Sequence, residues 1–222
     1  HTASSTPNNN IMGDQDIFSK NLELRKNVSD HLINSNYKLF VNISSLSVYG
    51  KIKGANLFET HQTLPTNLYG LSKLLAENQF SIISKYASFS NILNLRLPGI
   101  ISREAKGIFV LSLIQKIKEN KPIKVFSKES LFNNATTPYD IAGTIENFIY
   151  EHKKLPKEIY LNMSSKDELS ISEIISFISN KLQKSFPELV IDKNISTFLI
   201  KNKKNYDLIN NSFLIDMFRE IL

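Results

Sequence analysis

The sequence has no cysteine in its 222 residues and only seven glycines. Without cysteine there is no disulfide framework, no thiolate nucleophile and no zinc site built on sulfur. The four histidines, His1, His31, His61 and His152, share no ligand spacing, so no metal site is expected. No apolar run has membrane-spanning length, and the chain does not open on a basic segment followed by an apolar one, the mark of a secretory signal. The setting expected from these absences is the reducing cytoplasm, with no membrane partner. No repeat or low-complexity linker divides the chain.

What is present is ordinary globular material. Apolar residues make up 41% and charged residues 22%, a balance that excludes wholesale disorder. The length suits one large domain, or one domain with a small companion, and buries a core without staples. Lys and Arg number 27 against 21 acidic residues, giving +6, and excess positive charge draws polyanions. The lysines are scattered, however, and the clusters Lys153-Lys154 and Lys201 to Lys204 are short. They read as a solvated basic surface rather than a nucleic-acid track. The aromatic residues fall mostly on apolar faces, the pattern of a core rather than of a base-stacking groove.

Periodicity predicts a helix over about 16–34, with Phe18, Leu22, Val28 and Leu32 on one side, then a buried strand over 38–44. A second helix is expected over about 69–86 and a second strand over 92–97. Helix and strand alternating at short spacing mark crossover units on a parallel sheet, and such sheets place chemistry at the carboxyl ends of their strands. Beyond Gly99 the alternation loosens. Helices are expected over 108–120, 139–150 and 170–182, the last capped by Ser170 or Ser172 with Glu173 in its first turn. Strands are expected over 123–126, 158–162 and 197–200, and a last helix from about 211.

Two segments carry candidate chemistry. In Tyr69-Gly-Leu-Ser-Lys73 a helix places Tyr69 and Lys73 on one face. A phenol is a poor base at neutral pH, and a nearby ammonium stabilises its phenolate, so the pair is a workable acid/base device. Ile43-Ser-Ser-Leu-Ser-Val-Tyr-Gly50 follows a predicted strand, where Ser44, Ser45 or Ser47 either binds a substrate oxygen or satisfies the turn.

Together these segments resemble the extended short-chain dehydrogenase/reductase family, the NAD(P)-dependent sugar-nucleotide epimerases and dehydratases. The resemblance runs from Val41 to Gly50, through Tyr69 to Glu77 and Leu95-Arg-Leu-Pro-Gly99. It continues through Lys121-Pro-Ile-Lys-Val-Phe126, Tyr139-Asp-Ile-Ala142, Tyr160-Leu-Asn162 and Leu169-Ser-Ile-Ser-Glu173. It implies a Rossmann-like, doubly wound parallel sheet, incomplete at its amino end, with a smaller α+β carboxyl-terminal lobe. Residues 1–100 would be the remainder of the dinucleotide-binding domain. Residues 101–222 would be mainly the substrate lobe, with about 138–162 returning to the main sheet.

By the same resemblance Ser45, Tyr69 and Lys73 would form the catalytic centre. Tyr69 would be the acid/base, and Lys73 would lower its pKa and hold the nicotinamide ribose. Ser44, Pro98 and Gly99 would join Tyr69 and Lys73 around NAD or NADP, with the Pro98-Gly99 backbone near the carboxamide. Ser45, Ser47 and Asn133 would meet the substrate, expected to be a nucleotide sugar. Asn21 would be the architectural asparagine of the first helix. The implied activity is epimerisation or 4-keto reduction, since the neighbours of Ser45 are Leu46 and Ser47 rather than a dehydratase's acidic residues. Homodimerisation through the two predicted amino-terminal helices is implied as well. The alternatives are a reductase of a non-nucleotide carbonyl compound and a non-catalytic nucleotide-binding relative.

Three departures stand out. No glycine-rich turn for the pyrophosphate exists among the 222 residues, although such a turn opens the family's fold. His1-Thr-Ala-Ser4 resembles the end of the family's fourth strand, so the first part of the nucleotide-binding half is expected outside this sequence, in a longer protein, or lost by truncation with uncovered sheet edges. Gly99 and Asn133 stand where the family often has Asn and a phosphate-clamping Arg. Lys106, Lys124 and Arg103 are the cations available to replace that Arg.

Overall fold

The computed structural model describes residues 14–34, 36–52, 54–86, 91–105, 108–195, 197–202 and 207–222. The His1 to Ser4 block and Lys106 lie outside them. Helix α1 (Asp14–Ile33) leads to strand β1 (Leu39–Ser45), a 3-10 turn (Leu46–Tyr49), β2 (Asn56–Leu57), α2 (Leu68–Ile83), β3 (Asn91–Leu97) and β4 (Gly99–Ile100). Then come α3 (Phe109–Lys118), β5 (Ile123–Val125), β6 (Leu131–Phe132), β7 (Ala135–Thr136), α4 (Pro138–Glu151) and β8 (Glu158–Asn162). The chain ends with β9 (Leu169–Ser170), α5 (Ile171–Lys181), β10 (Leu189–Ile191), β11 (Leu199–Ile200) and α6 (Leu214–Ile221).

The main sheet is parallel in the order β1-β3-β8. All seven residues of β3 are buried, as a central parallel strand covered on both faces requires. Alternate side chains separate two environments. Leu93, Leu95, Leu97, Ile159 and Leu161 pack with Phe148, Ile141 and Ile145 of α4. On the opposite face Phe40 and Ile92 pack with Leu32 of α1 and with Ala76, Phe80 and Ile83 of α2. Phe40 and Phe80 meet edge to face, centroids 4.9 Å apart, and complete burial of a ring such as Phe80 stabilises by roughly 2–3 kcal/mol. Helices on both faces of a parallel sheet make the architecture Rossmann-like and doubly wound.

A separate apolar cluster joins Val110, Leu113, Ile114 and Ile117 of α3 to Ile174, Ile175 and Ile178 of α5, and to Leu214, Met217 and Phe218 of α6. The helix starts here are chemically explicit. Ser170 caps α5 in a reciprocal box with Glu173. Thr137 and Asp140 form a second box at α4, behind Pro138 in its first turn, each bond 3.1 Å long. The expected strand over 197–200 shrinks to Leu199–Ile200, paired with β2. The two-residue strands β2, β4, β6, β7 and β9 were not expected at all, because two residues cannot display a period of two. Several aromatics stand outside the core, with Tyr86 84% and Tyr139 and Tyr150 74% exposed. Among the described residues no helix is long and apolar enough to cross a membrane.

Candidate active site

Three consecutive residues of β1 grip three successive turns of α2. The Ile43 carbonyl accepts a hydrogen bond from Lys73 Nζ at 2.8 Å. The Ser44 hydroxyl donates to Glu77 Oε1 at 2.5 Å, and Ser45 stands close enough to the Tyr69 phenol to lower its pKa against the effect of burial. Tyr69, Lys73 and Glu77 are spaced by four, so one helix face meets one strand end. Asn67 starts α2 by accepting from the Gly70 amide at 2.7 Å. The helix then presses onto the 3-10 turn so closely that a Cβ on Gly70 would lie 2.4 Å from the Ser47 carbonyl oxygen. Only glycine permits that approach. Asn21 of α1 braces the first turn of α2, donating to Ser72 Oγ at 3.2 Å, while Ser72 donates to the Tyr69 carbonyl at 2.8 Å.

The electrostatics of the pair follow from burial. Lys73 is 8% exposed, and desolvation brings its ammonium down to about 8 against a counterweight from Glu77. Its Nζ stands 5.7 Å from the centre of the Tyr69 ring. Desolvation pushes the Tyr69 phenol above its ordinary value, and Ser45 offsets part of this. At neutral pH the pair therefore rests as neutral phenol and ammonium, the state that gives a proton to a developing alkoxide.

Beneath the pair lies a buried charge network. Glu77 is 0% and Arg96 4% exposed, and the guanidinium holds the carboxylate bidentately, Nε to Oε1 at 3.0 Å and Nη2 to Oε2 at 2.8 Å. Arg96 Nη1 also donates to the Tyr49 hydroxyl at 2.7 Å, which donates to Asn162 Oδ1 at 2.9 Å. The guanidinium lies 4.8 Å from the Tyr49 ring centre and 4.6 Å from that of Tyr160. Burial works against its charge, but Glu77 and Tyr49 outweigh that and hold it above the ordinary arginine value. In the sequence Glu77 and Arg96 stand out only as members of the Tyr69 to Glu77 and Leu95 to Gly99 blocks. The available signal was the one charge inside a buried strand, which demands a buried partner.

The other candidates separate. Ser47 stays in the site, its Oγ 3.2 Å from Ser45 Oγ. Ser44 is 2% exposed and turned to Glu77, so its side chain serves the network beneath the pair. Pro98 and Gly99 follow β3 at the end where Ser45 pairs with Leu97. Gly99 lines a cavity of about 320 Å³ whose wall includes Phe109, Phe126, Phe132 and Phe198 and one cation, Lys124. A Cβ on Gly99 would meet nothing closer than 3.7 Å. Asn133, expected at the substrate, is 3% exposed and spends its amide on the backbone of Ile200, donating to the carbonyl and accepting from the amide at 2.9 Å each. Arg103 lies in another cleft and donates to the Glu220 carbonyl at 3.1 Å. No group of three potential metal ligands occurs among the described residues.

The donors of the centre suit the ribose end of a nicotinamide nucleotide. An ammonium has three N–H groups, and among the described residues Lys73 has one hydrogen-bond acceptor, the Ile43 carbonyl. Two donors thus remain for a ligand's hydroxyls in a buried place.

The sequence model of the NAD dependent epimerase/dehydratase family matches residues 1–137. No curated protein matches the sequence. Solved structures share the fold. The UDP-glucuronic acid 4-epimerase from Bacillus cereus in complex with NAD is 21% identical; the alignment covers 100% of this chain and 70% of that one, with a TM-score of 0.78. A UDP-galactose 4-epimerase is 14% identical over 98% of this chain and 74% of its own, TM-score 0.74. MoeE5 in complex with UDP-glucose and NAD is 16% identical over 93% and 71%, TM-score 0.71. At such identities the likeness is one of fold.

Proposed function

Because the chain belongs to the NAD dependent epimerase/dehydratase family, we propose that it acts with NAD as an epimerase or 4-keto reductase of a nucleotide sugar. The observation that carries this reading is the grip of β1 on α2, which sets Tyr69 against Ser45 and Lys73 at the carboxyl end of β1. As the neutral phenol Tyr69 gives its proton to the alkoxide that develops when the keto carbon is reduced, and as the phenolate it takes the proton back when the sugar carbon is oxidised. Ser45 holds the phenol and the same sugar oxygen, and Ser47 orients Ser45. Lys73 binds the ribose hydroxyls with its two remaining donors, and the Pro98-Gly99 backbone borders the carboxamide. The bound nicotinamide supplies the hydride acceptor and donor. Residues 1–100 carry this centre and 101–222 the substrate lobe, apart from α4 and β8, which belong to the main sheet. Pairing of two copies through α1 and α2 is supported by Ile33 and Ile82, 57% and 56% exposed.

A second reading, a carbonyl substrate without a diphosphate, is favoured by the engagement of the Asn133 amide with Ile200. One experiment separates the two. The protein is incubated with NAD and UDP-glucose or UDP-glucuronic acid, and the sugar nucleotides are resolved by anion exchange. Formation of the 4-epimer is the expected result, and Tyr69→Phe should lower turnover about 100- to 10,000-fold with calorimetric NAD binding unchanged. Failure to convert any nucleotide sugar, with reduction of simple carbonyl compounds by NADH instead, would replace the first reading by the second.

A further inference from the structure

The grip of β1 on α2 has three members, and the proposed chemistry uses two of them. Glu77, the third, is 0% exposed and one helical turn beyond Lys73. Its carboxylate is fixed by two bonds from Arg96 of β3 and one from Ser44 of β1. We propose that Glu77 is a positioning residue of the Tyr69–Lys73 pair: its clamped carboxylate sets the register of α2 on β1 and keeps the Lys73 ammonium charged in a buried place.

The charges around Lys73 can be counted. Tyr49 of the 3-10 turn and Tyr160 of β8 are both pushed up by burial, so each is neutral through the working range. Glu59, before α2, gives its carboxylate to the Asn162 amide at 3.1 Å, and its carbonyl accepts from Arg96 at 3.3 Å. Tyr69 is neutral as described. The fully buried charges are therefore Lys73, Arg96 and Glu77, with the half-buried Glu59 carboxylate at the Asn162 side. Removing the Glu77 charge leaves two cations together in a place that already disfavours one, and Lys73 is the one that can lose its proton, because arginine cannot. Desolvation lowers Lys73 and Glu77 raises it, in the direction this geometry requires.

The proposal rests on Tyr69 and Lys73 as the working pair, yet its test reads Lys73 alone, with no cofactor or substrate. In protein labelled with 13C-lysine, the Lys73 Cε resonance is assigned by its loss in Lys73→Met and followed from pH 6 to 11. In Glu77→Gln its midpoint should fall by about one pH unit, the size expected for loss of a neighbouring opposite charge. Glu77→Gln leaves Arg96 buried without its partner, so Glu77→Gln/Arg96→Met, which removes both charges, is measured beside it; its midpoint should also fall, by less. If Glu77→Gln does not fold, the double variant decides. A folded variant with lowered thermal stability and an unmoved midpoint would mean a structural role only and overturn the proposal. Loss of epimerase activity in the wild-type protein with the midpoint shift intact would sink the proposed function and leave Glu77 where it stands.

Discussion

Replacing Lys73 by Met should make the protein more stable at neutral pH. The folded state brings the Lys73 ammonium from 10.5 to about 8 through burial, a drop worth about 3 kcal/mol at roughly 1.4 kcal/mol per pH unit. The unfolded chain keeps its proton up to the higher value and the folded chain only up to the lower. Unfolding thus takes up a proton between about pH 8 and 10.5, and this group's cost to the folded state is complete below 8 and fades as pH rises. Methionine avoids the cost and fills the same volume, but it gives up the bond to the Ile43 carbonyl, worth about 1 kcal/mol. The variant should gain about 2 kcal/mol at pH 7, or roughly 4–8 °C in midpoint for a domain of this size. Urea unfolding followed by circular dichroism between pH 6 and 11 checks it. The gap between variant and wild type should be flat below pH 8, then shrink by about 1.4 kcal/mol per pH unit. A less stable variant at pH 7, or a gap independent of pH, would refute the reasoning.

Gly70→Ala should destabilise by about 2–4 kcal/mol, because its Cβ would sit 2.4 Å from a backbone oxygen of the turn that carries Ser47, where nothing can yield cheaply; thermal unfolding measures it. Gly99→Ala, with the nearest atom 3.7 Å away, should stay within about 0.5 kcal/mol of wild type, and a larger loss would mean the strand end has no such room. Arg96→Met should cost about 3–5 kcal/mol by leaving Glu77 buried without its partner, and Arg96→Met/Glu77→Gln less than that; equal losses in the two would show that the ion pair is not what Arg96 contributes. Thr137→Ala removes one half of the box that starts α4 and should cost about 1 kcal/mol, read by denaturant titration.

The spacing of Tyr69 and Lys73 and the strands over 38–44 and 92–97 were legible because each is a local pattern: four residues make a helix turn, and a short stretch rich in Leu, Ile, Val and Phe makes a buried strand. The partners of those residues were not local. Arg96 meets Glu77 across 19 positions, Tyr49 across 47, and these contacts exist only once Ser44 pairs with Arg96 and Arg96 with Asn162 in the sheet. Asn133 shows the same limit from the other side. Its place in the pattern suggested a substrate contact, yet it is occupied by Ile200, 67 residues away. The box at α4 was local, with Thr137 three before Asp140 and Pro138 between, but aspartate in place of the usual glutamate weakens the signal.

The register of the main sheet explains why stability and site coexist on one face of it. On the side covered by α2 the amino halves of β1 and β3 are apolar, with Phe40 beside Ile92. One step on, Asn42 donates to Asn94 at 2.9 Å, with Tyr160 beside Asn94. The last row is Ser44, Arg96 and Asn162. Polarity rises along β1 and β3 together because parallel strands bring their carboxyl ends to the same edge. The opposite face packs Leu93, Leu95, Leu97, Ile159 and Leu161 against α4, so the sheet is anchored from behind. Rows of buried amides stabilise little, and two of them, Asn94 Nδ2 and Asn162 Nδ2, lack a partner among the described residues, a cost of roughly 1–3 kcal/mol each. Those rows lie in the half that holds Ser45, Tyr69 and Lys73, where hydrogen-bonding groups fix positions that apolar packing would leave adjustable. The structure thus concentrates its cohesive contacts at one end of α2 and its costly, orienting ones at the other, and the helix carries the rigidity of the first to the second.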